Sequence, residues 1–461
     1  MNHFTTPLPP SSHEETTLSP ARLARFSAVA VPVAAAGLPI GVYLPAIFAR
    51  DFGLSLGVIG AIFLAGRLWD GLLDPVVGAL SDHTRTRYGR RKPWILGGGI
   101  LFALASILLF FPPDEVSALY LTLVLFFFYL GWTGVQIPFL AWSGEISGQY
   151  HERTRIATYQ TVIAAAALVL TLLLPTIAAQ IRPDDGKLQL ALMGSLVLVT
   201  IPISLFLTLG ALPEESPAEC ARQPFSIGRS LRAVFGNPLL LRVLASDFAV
   251  TLGQSIRGAL FVFFVSFYMG RPDWAAALFL FQFVFGIIAG PIWLRIGRRF
   301  GKHRTAVLGE VAQTLINLSL LLVTPERFDL LLVLTLAQGL AQGSGNLMLR
   351  AIVADVADKQ RLDSGEESTG LYYSVFTLAG KLAAAVAIGI ALPLIAWFGF
   401  DPQAHNSAQA LNGLLYVFAL GPALSHALSA LLVFGFPLDE SAHSEIRRQL
   451  EIGPAALAPA E

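Results

Sequence analysis

The sequence predicts an all-α membrane protein, with twelve transmembrane helices in two pseudo-symmetric six-helix bundles. Three observations predict it. Hydrophobic residues make up 54% of the 461, charged residues only 13%, and mean hydropathy is +0.64. A soluble chain of this length needs far more charge to cover its surface. Apolar runs of bilayer length, roughly 20 residues, recur along the whole chain. Basic residues collect in alternate loops between those runs.

The first six spans fall at about residues 26–48, 56–80, 94–111, 119–142, 157–179 and 188–210. The second six fall at about 239–268, 274–296, 305–324, 330–354, 370–398 and 408–436. A polar linker at 213–238, with Glu214, Glu215, Glu219, Pro217 and Pro224, divides the chain into an N-terminal bundle (26–212) and a C-terminal bundle (239–436). Residues 1–25 and 437–461 read as tails. The N-terminal stretch is polar and lacks a basic n-region, and the first apolar run is too long for a signal-peptide core, so it reads as a retained helix.

One set of loops carries Arg85, Arg87, Arg90, Arg91 and Lys92, then Arg153 and Arg155, then Arg222, Arg229 and Arg232. It continues with Arg295, Arg298, Arg299, Lys302 and Arg304, then Arg350, Lys359 and Arg361. The opposite set carries only Arg50, Arg182, Lys187, Arg271 and Arg327. The positive-inside rule therefore places both termini in the cytoplasm. A formal net charge of zero offers no case for nucleic acid. Cys220 is the only cysteine, which excludes an intrachain disulfide, and no HExxH, GxSxG or GxxxxGK[ST] occurs. Membrane-embedded hydrolysis and ATP-driven transport by this chain alone therefore find no support.

Within span two, Arg67, Asp70 and Asp74 share one helix face by their three- and four-residue spacing. Charges at that depth normally face a polar interior and mark an ion or solute path. Two carboxylates one turn apart repel, and a bound cation relieves the repulsion. The competing reading is a structural ion pair with Arg67. The halves echo each other: Asp70-Gly-Leu-Leu-Asp74-Pro75 leads to Gly89-Arg90-Arg91, and Gly286-Ile-Ile-Ala-Gly290-Pro291 leads to Gly297-Arg298-Arg299. The scaffold repeats but the two acids become glycines, which favours a functional use for them.

The stretch WDGLLDPVVGALSDHTRTRYGRRKPW resembles the second helix and following loop of the glycoside–pentoside–hexuronide:cation symporters, the melibiose-carrier family of the major facilitator superfamily. Three further stretches match. Pro138 to Glu145, followed by His151 to Thr154, resembles the family's helix four and its exit loop. Gly290-Pro-Ile-Trp, followed by Arg298 to Lys302, resembles the helix-eight turn. Ala351 to Asp358, with Ser368-Thr-Gly370 and Tyr373 to Lys381, resembles the helix ten to eleven region.

The resemblance implies a major facilitator fold and sodium- or proton-coupled symport of a sugar-like solute in an inner membrane. It implies a cation site at Asp70 and Asp74, with a helix-eleven lysine at Lys381 in the same charge network. Gate or loop roles fall to Asp82, Arg90, Arg91, Glu145, Arg153, Arg298, Arg299, Asp355 and Asp358, with Arg67 grouped among them. No cofactor or metal is implied beyond the coupling ion, and the unit is a monomer. The pattern departs from the family at the sugar-gripping acids. Helix one is apolar at Ala34 to Gly37, the helix-four position is Gln136, and a helix-five arginine is replaced by Gln160. A more apolar solute, such as a lysolipid or glycoconjugate, is the alternative.

The remaining buried-span polar residues divide between cavity and packing. Trp132 and Tyr129 either stack on solute or pack. Gln254 and Arg257 share a face, and Arg257 faces the cavity or makes a salt bridge. Gln342 and Asn346 line one face of span ten. Asp247 is either solvated near its helix end or engaged. Glu310 is expected to pair with Arg304 or Arg298, and His426 to serve as packing.

Overall fold

The computed structural model describes residues 18–146, 150–182, 185–214, 234–364 and 369–452. The N-terminal half comprises α1 (Pro20–Phe26), α2 (Ala30–Val42), α3 (Leu44–Phe52), α4 (Leu56–His83), α5 (Lys92–Phe110), α6 (Ala118–Glu145), α7 (Tyr150–Ile181) and α8 (Gly186–Ala211). The C-terminal half comprises α9 (Pro238–Phe263), α10 (Pro272–Phe300), α11 (Lys302–Ser319), α12 (Phe328–Ala341), α13 (Ser344–Ser364), α14 (Thr369–Trp397), α15 (Ala408–Val433) and α16 (Glu440–Ile452). Helix starts are set by short polar side chains that take up orphan N–H groups. Ser55 accepts from the Val58 amide, Ser117 from Tyr120, Asp185 from Leu188, Asn237 from Leu240 and Ser407 from Ala410. Most of the linker and parts of both tails lie outside the described residues.

Eleven helices among the described residues are long and apolar enough to cross a membrane. The expected tenth span is present in two pieces, α12 and α13. Gln342 is extended (φ −64°, ψ 142°) and Gly343 has φ +89°, a left-handed value that a side chain disfavours. The expectation that Gln342 and Asn346 share one face of a continuous helix is therefore corrected: they lie on either side of a break. Broken membrane helices are tolerated where the freed backbone is buried in protein or lines a cavity.

The bundles meet where α4 packs on α14 and α7 on α10. Gly60 lies against Pro393 and Ile388, Gly389 against Leu64, and Gly71 against Leu378. Within the N-terminal bundle α5 and α6 approach backbone to backbone. A Cβ at Gly98 would stand 2.6 Å from the Gly134 carbonyl carbon, and one at Gly131 would stand 2.4 Å from the Phe102 nitrogen. Small residues give membrane helices such close packing.

Gly131→Ala forces the two backbones apart and is expected to cost about 1–3 kcal/mol, the usual range for overpacking. Gly144→Ala, whose Cβ meets nothing within 4 Å, serves as control. Thermal unfolding in detergent checks this, and equal midpoints for the two variants would refute the packing account.

Candidate functional site between the bundles

Helix α4 carries Asp70 and Asp74 one turn apart, and α14 brings Lys381 to them from the other bundle. The Lys381 ammonium is 3.1 Å from Asp70 Oδ2 and is also ion-paired and hydrogen-bonded to Asp74 Oδ2. Thr133 of α6 donates its hydroxyl to Asp70 Oδ1 at 3.0 Å. Asp70 is 3% exposed. The remaining oxygen, Asp74 Oδ1, is buried without a hydrogen-bond partner among the described residues. Two carboxylates share one ammonium in a largely buried site. An unpartnered carboxylate oxygen beside a hydroxyl-bonded carboxylate is a fitting ligand set for a hard cation or a proton. The sequence placed Asp70, Asp74 and Lys381 together and missed Thr133, which sits three residues before Gln136 on the same helix.

Arg67 does not pair with the acids and does not reach a gate. Its guanidinium lies over the Tyr129 ring, 5.4 Å from the centroid, inside the span. Tyr129 is buried at 1% exposure and packs edge-on to Phe128, so it has no free face for a solute. Trp132 and Gln136 are half-buried, and the Trp132 indole N–H donates to Gln136 Oε1 at 2.8 Å. A Cβ at Gly37 would stand 3.0 Å from Trp132 Cη2, so the indole occupies the space beside apolar helix α2. Gln160, also half-buried, donates to Ser143 at 2.6 Å.

On the other bundle, half-buried Gln254 donates to Asn346 Oδ1 at 2.9 Å, and Asn346 donates to Asp247 Oδ1 at 3.2 Å. Asp247 is 2% exposed, so the solvated reading for it does not hold. Gln282 donates to Gln342 Oε1 at 3.0 Å across the break. Arg257 is almost fully buried. It donates to Asn317 at 3.0 Å and sits over Phe418 at 5.0 Å, so both its cavity and salt-bridge expectations are corrected. Glu310 pairs with His426 at 2.6 Å, in place of Arg304 or Arg298, and His426 is correspondingly more than packing.

At the basic turns the expected loop residues do converge. Arg91, 2% exposed, binds Ser81, Asp82 and Glu145, while Arg90 pairs with Glu145 at 2.7 Å. The sequence did not reveal that Glu214, from the linker, closes this turn. Its carboxylate accepts from the backbone N–H groups of Arg90, Arg91 and Lys92 at 2.8, 2.7 and 3.1 Å, at the start of α5. Gly89 (φ +103°) leaves the carboxylate room, since a Cβ there would lie 2.1 Å from Glu214 Oε2. In the second half Asp355 is bound by Lys302 at 2.7 Å, and His443 of α16 bonds Asp358 at 3.1 Å. Arg298 and Arg299 are exposed, and Arg299 stacks on Phe300. The side chain of Arg153 lies outside the described residues.

Two helical bundles with a charged seam between them are the architecture of a solute carrier. Residues 25–440 match the family described as MFS/sugar transport protein, and the chain belongs to that family. This bears out the resemblance read from Asp70 to Pro75 and the loop that follows. Escherichia coli (strain K12) YagG, provisionally named a glycoside/cation symporter, is 24% identical over 88% of this chain and 90% of its own. The human sodium-dependent lysophosphatidylcholine symporter 1 is 23% identical over 85% of this chain and 78% of its own. The crystal structure of the nucleoside transporter NupG superposes with a TM-score of 0.63 at 10% identity, covering 91% of this chain and 100% of that one.

Thr133→Val removes the hydroxyl bond to Asp70 while keeping side-chain volume. A hydrogen bond to a charged group contributes about 1.5–3 kcal/mol and favours the ionised carboxylate, so without it the site should bind a proton about tenfold more tightly or more. Protection of the purified protein by sodium, or by lowered pH, against thermal unfolding reads this. Unchanged protection would remove Thr133 from the site.

Proposed function

We propose that the protein is a secondary active transporter that couples entry of a sodium ion or proton to symport of a sugar or glycoside-like solute. The observation that carries the reading is the Lys381 ammonium lying across Asp70 and Asp74 from the opposite bundle. An arriving cation binds at Asp74 Oδ1 and competes with that ammonium, so cation occupancy and bundle contact are linked. Solute bound between Trp132, Gln136, Gln160, Gln254 and Asn346 touches both bundles and shares in the linkage. Cation and solute must then raise each other's affinity by the same factor. Family membership and the glycoside/cation name of the E. coli relative support the sugar reading.

The setting is a multi-pass inner-membrane carrier that works as a monomer, with the basic turns and both termini in the cytoplasm. It has no cofactor beyond the coupling ion and does no covalent chemistry. One observation favours a second reading. With Trp132 filling the space beside Gly37, helix α2 offers no polar group to a sugar, and a lysolipid-like solute suits that wall. The lysophosphatidylcholine symporter among the relatives agrees with it.

Uptake into proteoliposomes of labelled glycosides and labelled lysolipids, each with a sodium gradient, a proton gradient or neither, decides between them. Gradient-driven glycoside accumulation is the expected result. Asp74→Asn is expected to insert normally and abolish accumulation; full coupled accumulation by that variant would sink the assignment of the site.

Gln136→Cys in a Cys220→Ser background should react with a small hydrophilic maleimide and be protected by the transported solute. Phe127→Cys, at a residue 52% exposed on the outer surface of α6, should show no such protection. Equal, solute-insensitive labelling at both positions would count against a cavity-lining Gln136.

A further inference from the structure

The C-terminal bundle holds a second pair of ionisable groups that the coupling site does not use. Glu310 of α11 and His426 of α15 are both 0% exposed, and His426 Nδ1 lies 2.6 Å from Glu310 Oε2. Their outer atoms, Glu310 Oε1 and His426 Nε2, are buried without a hydrogen-bond partner among the described residues. Two glycines make the space. A Cβ at Gly345 would lie 2.0 Å from Glu310 Oε1, and one at Gly253 would lie 3.3 Å from His426 Nε2. Gly345 is in the first turn of α13, at the broken span, where a helix start favours a negative charge. The pair thus sits where α9, α11, α13 and α15 converge.

The proton count follows from charge. With an ionised carboxylate and a neutral imidazole the pair is an anion. With one further proton it is neutral, whichever partner carries it. A lone charge sealed from water is strongly disfavoured, so the neutral form prevails unless a cation compensates. Arg257 of α9 is the nearby buried cation, but it binds Asn317, about two turns along α11 from Glu310. Asp247, also on α9, is a further carboxylate and repels Glu310. Lys381 on α14 is engaged by Asp70 and Asp74. Lys302, His303 and Arg304 lie in the first turn of α11, where Lys302 is held by Asp355 of α13. Arg350 on α13 and Arg298 on α10 are exposed. No side-chain cation among these neutralises an anionic Glu310–His426 pair, and the start of α13 offers only a partial positive charge.

We propose that Glu310 and His426 form a proton-binding site inside the C-terminal bundle, distinct from the Asp70–Asp74–Lys381 site, with one proton shared between Nδ1 and Oε2. The carrier then has two cation positions, one at the seam between bundles and one within the second bundle. Loss of the inner proton leaves an unpaired negative charge at the junction of the four helices.

The test uses the purified full chain without solute, so its outcome is independent of the transport reading. Histidine-labelled protein at about pH 8, above the ordinary histidine range, is examined by nitrogen NMR for an imidazolium and by infrared for a protonated carboxyl. One such signal is expected, lost in Glu310→Gln, found as a carboxyl signal of shifted frequency in His426→Gln, and retained in Asp74→Asn. Should either variant fail to fold, Gly253→Ala places a methyl against His426 Nε2 and should shift the signal without removing an ionisable group. Absence of both signals in the parent protein overturns the proposal. So does a signal that survives Glu310→Gln, that is unmoved by His426→Gln, that disappears in Asp74→Asn, or that is untouched by Gly253→Ala.

Discussion

The ammonium of Lys381 between two carboxylates of the other bundle is the interaction on which the arrangement depends. Three charges are largely withdrawn from water at the seam, and their cost is offset only by one another and by the Thr133 hydroxyl. Removing one partner strands the rest. The site sets two carboxylates against one ammonium. The pairing also fixes which faces of α4 and α14 meet, because it pins the two helices at a single level.

Much of the fold was legible in the sequence because membrane insertion obeys coarse rules. Span length, apolarity and the basic loops need no knowledge of partners, and the linker fell where the polar residues cluster. Asp70 and Asp74 were legible for the same reason: a carboxylate in an apolar run is conspicuous wherever the helix packs. Partnerships across helices were not legible. Helical spacing gives the face of Glu310 but cannot say that His426, on another helix, stands opposite it. Glu214 looked like an ordinary linker acid, and only the folded turn shows it meeting three backbone amides. The break in span ten did have a signal, since Ala341-Gln-Gly-Ser-Gly-Asn346 is rich in residues that leave helices readily. The apolar flanks on both sides outweighed it.

The two bundles handle polarity differently. The first concentrates charge at the seam and at the turn before α5, and packs α5 on α6 through bare glycine backbones. The second hides a network of amides. Gln313 and Gln338 are hydrogen-bonded, Asn317 joins both Gln338 and Arg257, and all four are almost wholly buried. Such networks resist substitution because removing one member strands the buried polar atoms bonded to it. They also make the helices that carry them behave as one body.

The seam between α4 and α14 has a mechanical consequence. Gly60, Leu64 and Gly71 form a single stripe along α4, facing Pro393, Gly389 and Leu378 on α14. Glycine and proline surfaces present few projections that must unlock before the helices turn. The seam is therefore a rolling bearing with one detent, and the detent is the Lys381 cluster. Because the charged catch is local, any relative turning of the two helices meets its main electrostatic resistance at one level of the seam.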